Sequence, residues 1–261
     1  MLPLEIAQVP PLAFRYSICT LVTNWDEYER MWTSFVAKGF TADKAEFLYI
    51  DNREKNQYEA FAGLNALLHK ARGEYVVLCH QDIELLEDGI EKLDQRIAEL
   101  NQMDAQWALL GNAGASRIQK MYLHISHRDR RFQSEGPFPA RVHSLDENFI
   151  VLRKAAHLGF SADLGGFHFY GTDLCLQADF RGYHAYVVDF NVWHKGQGVM
   201  NPHYFEVKAK MLQKYRRALR TRWIQTPTTR LFLHRTAVAT WFFNRKWVSY
   251  LLKQWYKLLP K

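Results

Sequence analysis

Cysteine is scarce in this chain of 261 residues: Cys19, Cys79 and Cys175 form an odd set with no CxxC pair. That argues against a disulfide framework and a zinc knuckle, and it fits a reducing compartment. No basic N-terminal region precedes an apolar signal core, and no apolar run approaches the roughly 18–20 residues needed to cross a bilayer. The chain is therefore expected to be neither exported by a visible signal nor integral. Internal repeats and low-complexity tracts are lacking too. Acidic residues are missing chiefly from one region: residues 201–261 hold seven Lys and seven Arg against Glu206 alone, a net +13, which leaves the first 200 residues at −6 within the total of +7. This division predicts a mildly acidic body with a basic appendage.

Residues 72–86, ARGEYVVLCHQDIEL, stand out in the body. Residues 75–79 read as a buried strand that ends in His80, Gln81 and Asp82. In open α/β sheets ligands collect beyond the carboxyl ends of the strands, so Asp82 stands where a metal or phosphate is expected. Strands are also predicted at 16–22 and 46–50, ending in Thr23-Asn24 and Asp51-Asn52, and at 107–110. Helical spacing follows each of the first three strands, over residues 28–36, 57–70 and 90–100. Such alternation predicts an α/β fold with a mostly parallel sheet flanked by helices. Residues 112–142, broken by glycine and proline and carrying HISHRDRR, read as an insertion or long loop. A strand-like run over 145–154, a helix over 171–182 and a last strand over 186–192 complete the body. The sequence thus divides into an arm (1–13), a body (14–200) and a basic, aromatic-rich helical extension (201–261).

These segments, with LDENFIVLRK at 145–154 and GFSADLGGFHFYGTDLCLQADFRGYHAYVVDFNVWHKGQG at 159–198, resemble a family 2 type glycosyltransferase with the GT-A fold, a Rossmann-like fold that binds nucleotide-diphospho-sugars. The resemblance covers about residues 14–198. It implies Thr23, Asn24, Asp51 and Asn52 as nucleoside contacts, Asp82 as ligand to a divalent metal on the diphosphate, and His194 close to metal or diphosphate. It also implies Asp173 as general base, with Asp146, His168 and Tyr170 on the acceptor or donor-sugar side. The family usually has Asp-x-Asp where this chain has His80-Gln81-Asp82.

Loss of a diphosphate builds negative charge that Mg²⁺ or Mn²⁺ neutralises, and His80 as a further ligand suits Mn²⁺ better. Removal of the acceptor hydroxyl's proton by a carboxylate gives a single, inverting displacement. The resemblance and the basic tail together lead to an enzyme of bacterial surface polysaccharide or lipopolysaccharide synthesis. It would take a nucleotide-sugar donor and a glycan or lipid-linked acceptor, and work in the cytoplasm, peripheral at the inner face of the plasma membrane. A noncatalytic nucleotide-sugar-binding or scaffolding subunit is the alternative. A nucleic-acid-binding protein is the third, although no known nucleic-acid-binding pattern occurs in the tail.

Overall fold

The structure, a computed structural model, describes residues 12–117, 120–196, 201–225 and 229–258. The expected arm lies almost wholly outside the described residues. Two compact units make up the chain, Met1–Lys208 and Ala209–Lys261. The body therefore runs past position 200, and the division falls within a helix.

Three apolar strands, β1 (Phe14–Val22), β2 (Ala45–Asp51) and β3 (Gly73–Cys79), start the main sheet, with α1 (Trp25–Ala37) and α2 (Ala60–Lys70) between them. Asn24 caps α1 by accepting the Glu27 N–H, and Met31 and Phe35 turn one helix face into the core. The two-residue β4 (Ile83–Glu84) and helix α3 (Ile90–Met103) lead to β5 (Trp107–Gly111). After a second group of strands, β11 (Phe149–Arg153), α4 (Tyr170–Phe180) and β12 (His184–Val187) return to the sheet, and Gly182, at φ +78°, takes the left-handed turn beyond α4. The sheet order is β2-β1-β3-β11-β5-β12-β9, where β9 is Ala140–Val142.

Strands β1, β2 and β3 are parallel, β11 runs against both β3 and β5, and β12 is parallel to β5. The expected mixed sheet flanked by helices is present, with three of its six strand pairings parallel. Reversal of β11 sets Phe149 opposite Cys79, so the residues just before β11 meet the carboxyl end of β3. Below that edge the sheet is packed with Tyr16, Tyr75, Trp107 and Phe149, and Tyr75 stacks on Trp107 at 5.9 Å and 8°. An aromatic pair of this kind is worth about 0.5–1.5 kcal/mol beyond the area it buries.

Three expectations need correction. Residues 112–142 are not a loop: β6 (Ala113–Arg117), β7 (Lys120–Ser126) and β8 (Phe132–Glu135) form a second sheet with β10 (Ser144–Leu145), β13 (Val192–His194) and β4. Their outward residues, such as Met121 and Phe132, are exposed, which removes the alternating signal of a half-buried strand. The last strand, expected at 186–192, is two strands, because the chain bends at Asp189, held by Lys92 and Arg96, and passes from one sheet to the other. The tail is not wholly helical either. Between α5 (Pro202–Ala218) and the helices α6 (Ala237–Phe243) and α7 (Lys246–Leu258) sit the antiparallel strands β14 (Arg222–Gln225) and β15 (Arg230–Leu233), with Trp223 opposite Phe232.

Candidate active site

The carboxyl edge of β3 opens into a cleft lined by Thr23, Ala60, Leu64, His80, Gln81, Asp82, Phe167 and Tyr170, among others. Asp82 does not cap a helix, since α3 begins only at Ile90 behind Gly89. It meets instead His80 and His194: the Nδ1 of His80 is 3.8 Å and the Nε2 of His194 is 3.6 Å from its Oδ1. Both distances are too long for hydrogen bonds. One ligand atom from each of these three residues lies within 4.8 Å of the others.

Three observations say that this trio fits a cation. Asp82 Oδ1 is buried and has no hydrogen-bond partner. A Cβ on Gly196 would lie 2.3 Å from Asp82 Oδ2 and 3.0 Å from His194 Nε2, so the glycine keeps the space over the ligands clear. Burial pushes the Asp82 carboxyl up, but the two histidines outweigh it and hold the group below its ordinary value. Burial, with His194 beside it, pushes His80 down against the pull of Asp82, which favours the neutral imidazole that a metal needs. A carboxylate and two imidazoles suit Mn²⁺ better than Mg²⁺, which prefers oxygen alone.

Gln81, between the two ligands, ties this edge to the first strand. Its Oε1 accepts from the backbone N–H groups of Thr23 and Asn24, and its Nε2 donates to Thr23 Oγ1 and Glu27. Thr23 thus lines the same cleft as His80 and Asp82, while the Asn24 side chain is taken up by the helix cap. Asp51 borders a neighbouring hollow with Glu54, Lys55, Gln57 and Tyr58. Arg53 grips Asp51 through two nitrogens, its hydrogen bonds lower the carboxyl to about 2, and its guanidinium lies 4.9 Å from the Trp25 ring. Asn52 is buried and shapes its own loop, bonding Gln57 N–H, Tyr58 N–H and Tyr58 carbonyl.

Asp173 departs most from expectation. It is fully buried, and Ser161 donates to it from both the backbone (2.9 Å) and the hydroxyl (2.6 Å). A carboxylate enclosed in this way ties α4 to the segment that carries Ser161. Tyr170, one turn earlier, does reach the site: its hydroxyl is 2.9 Å from His80 Nε2 and donates to the Glu147 carbonyl at 3.1 Å. His168 packs edge-on to Tyr204 at 5.4 Å, and burial beside His203 lowers its pKa. Asp146 is exposed and accepts from the Asn148 backbone, with its charge felt at His80.

No protein-family model matches the chain. A protein of Fuscovulum blasticum described as "ATP synthase subunits region ORF 6" is 39% identical over 224 residues, 84% of this chain and 90% of that protein. The chain belongs to the ORF 6 family. Among solved structures, S. aureus TarS superposes with a TM-score of 0.51 at 13% identity, over 77% of this chain and 39% of TarS. TarS 1-349 in complex with UDP-GlcNAc gives 0.50 at 14% identity, over 76% and 67%. The chain thus spans about two fifths of the longer TarS chain. At these identities the likeness shows the fold alone, and that is the GT-A fold that the sequence resembles.

Proposed function

We propose that this ORF 6 family member is an inverting glycosyltransferase that moves a sugar from a nucleoside-diphosphate donor to a hydroxyl of a glycan or lipid-linked acceptor, in bacterial surface polysaccharide or lipopolysaccharide synthesis. The observation that carries this reading is the His80–Asp82–His194 cluster in a cleft at the carboxyl edge of β3, within a GT-A fold. The three residues would hold a divalent cation, whose chemistry is to neutralise the charge that builds on a departing diphosphate. Thr23, set by Gln81, lines the cleft, and Asp51, set by Arg53, borders the neighbouring hollow; both are residues that the resemblance gives to the nucleoside.

The tail supports work at an anionic membrane surface. Among the described residues no helix is long and apolar enough to cross a membrane. In α7, Trp247, Leu251 and Trp255 recur every fourth residue and are all more than half exposed, on a segment rich in Lys and Arg. Apolar rings flanked by cations match a lipid headgroup boundary.

Isothermal titration of UDP with and without Mn²⁺, on wild type and Asp82→Ala, tests the core of this reading. Mn²⁺ should tighten UDP binding in the wild type only, whereas equal affinity in all four titrations would remove the metal-assisted donor site.

A further inference from the structure

Phe167 puts an apolar ring into the same cleft as His80 and Asp82, and the residue is 38% exposed there. Its place is set by the segment before α4, which α2 holds at two points. Asn65 exchanges hydrogen bonds with the Phe160 backbone, at 2.9 Å in each direction. At the head of the helix, Glu59 accepts the Gly166 N–H at 2.8 Å, and the Ala60 N–H donates to the Gly166 carbonyl at 3.1 Å. Gly166 sits at φ +92°, and a Cβ there would fall 2.5 Å from His203 Nε2 and 2.8 Å from Val207 Cγ2, so a glycine is needed where the chain passes the first two turns of α5. The two residues after Phe167 pack on Tyr204, whose ring lies 5.4 Å from that of His168 and 4.7 Å from that of Phe169. A lone exposed phenylalanine needs no explanation on an open surface, but one held in a cleft beside candidate metal ligands offers its face to whatever the cleft takes in.

We propose that Phe167 is the platform on which the transferred sugar stacks, an inference that rests on the glycosyltransferase reading above. The carboxyl ends of β2, β1 and β3 follow one another across the sheet and lead to Asp51, Thr23 and Asp82 in that order. A donor with its nucleoside toward Asp51 and its diphosphate at Asp82 carries its sugar at the far end of that line. Tyr170 marks this end, because its hydroxyl bonds both His80 and the Glu147 carbonyl just before β11, the next strand beyond β3. Phe167 lines the cleft together with Tyr170 and Asp82, whereas the hollow beside Asp51 is lined by Glu54, Lys55, Gln57 and Tyr58. Ala60 and Leu64 continue the apolar side of the cleft, and Thr23, Gln81 and the metal ligands make the polar side. A sugar ring divides in the same way, with hydroxyls around its rim and C–H bonds across a face. Stacking that face on an aromatic ring removes apolar surface from water and leaves the hydroxyls free for polar partners.

The test is isothermal titration of the full chain, with Mn²⁺, by UDP-, GDP- and dTDP-hexoses and by the matching free nucleoside diphosphates. Phe167→Ala should weaken binding of the donor that the wild type accepts by about tenfold and leave that of its free nucleotide within about twofold. Phe167→Leu, which stays apolar but lacks the ring, should share the donor-selective loss, and Phe167→Tyr should bind both ligands as wild type does. An unfolding midpoint near that of wild type in each variant separates lost stacking from a lost fold. Equal weakening of donor and free nucleotide would overturn the platform by putting the ring on the nucleoside, and so would wild-type affinity for both. Either result leaves the transferase standing. A wild type that binds none of these donors and none of the nucleotides would overturn both readings.

Discussion

The Tyr170 hydroxyl donates to the Glu147 carbonyl, so toward His80 it can only accept, and the Nε2 of His80, 2.9 Å away, must carry the proton. The lone pair is then on Nδ1, the nitrogen that faces Asp82. A tyrosine thereby sets the tautomer in which His80 can bind a cation. Tyr170→Phe keeps the ring in the core but frees the imidazole to turn over. Such partners of a ligand typically govern about 10–100-fold in metal affinity. Mn²⁺ titration of the Phe variant should show a loss in that range with an unchanged unfolding midpoint, and wild-type affinity would refute the relay.

Gly196 offers a steric test of the same cluster. Its added Cβ would fall 2.3 Å from Asp82 Oδ2, which obliges either the loop or the carboxylate to move. Gly196→Ala should therefore abolish the gain in UDP affinity that Mn²⁺ provides while global stability changes by no more than about 0.5 kcal/mol, as is usual away from the core. Mn²⁺-dependent tightening that persists in the alanine variant counts against metal binding at this point.

Much of the body was legible because β1, β3 and β5 are short apolar runs bounded by polar corners, and because Met31, Phe35, Leu93 and Ile97 recur at helical spacing. Position of Asp82 at a strand end followed from that pattern alone. The second sheet was not legible: β7 buries only Ile125 and Ser126 fully, too little to mark a period of two. The approach of residues 146–148 to the carboxyl edge of β3 was hidden for a different reason: LDENFIVLR reads locally as one strand, and its place depends on the reversed pairing of β11 with β3, a relation between residues some 70 apart in sequence.

Asp173 should behave as a residue of the core. Asp173→Ala leaves the Ser161 N–H and hydroxyl without their buried acceptor, at a cost of about 1–3 kcal/mol. Urea unfolding should show that loss, and donor turnover per folded molecule should persist. Loss of turnover at undiminished stability would restore Asp173 to a chemical role.

Acid sensitivity has a separate origin in Asp104. Burial works to raise its carboxyl, but hydrogen bonds from His184 (2.6 Å), the Gln106 N–H (2.9 Å) and the Tyr186 hydroxyl (2.8 Å) prevail and hold it below its ordinary value. A depressed carboxylate contributes stability that is complete above its unfolded value of about 3.9 and is lost as pH falls through the folded value. Asp104→Asn should thus lower stability at pH 7 and flatten its decline at acid pH. Chemical unfolding at a series of pH values checks this, and parallel curves for both proteins would assign the acid loss elsewhere.

Binding to lipid should depend on both halves of the tail's chemistry. Trp241, Trp247, Leu251 and Trp255 are exposed in the unit that begins at Ala209, where no acidic residue offsets the Lys and Arg side chains. Each cation near an anionic leaflet contributes about 1 kcal/mol at low salt and less as salt screens it, whereas apolar insertion persists. Full-length protein should sediment with vesicles containing phosphatidylserine, weakly with neutral vesicles, and progressively less as NaCl rises. Replacing Trp247, Leu251 and Trp255 together by Ser should leave only a salt-sensitive remainder, because the charges stay and the inserted face is gone. Equal sedimentation of this variant and wild type at every salt concentration would mean that these side chains do not enter the bilayer. Competition by RNA at equal charge would point the cations toward nucleic acid instead.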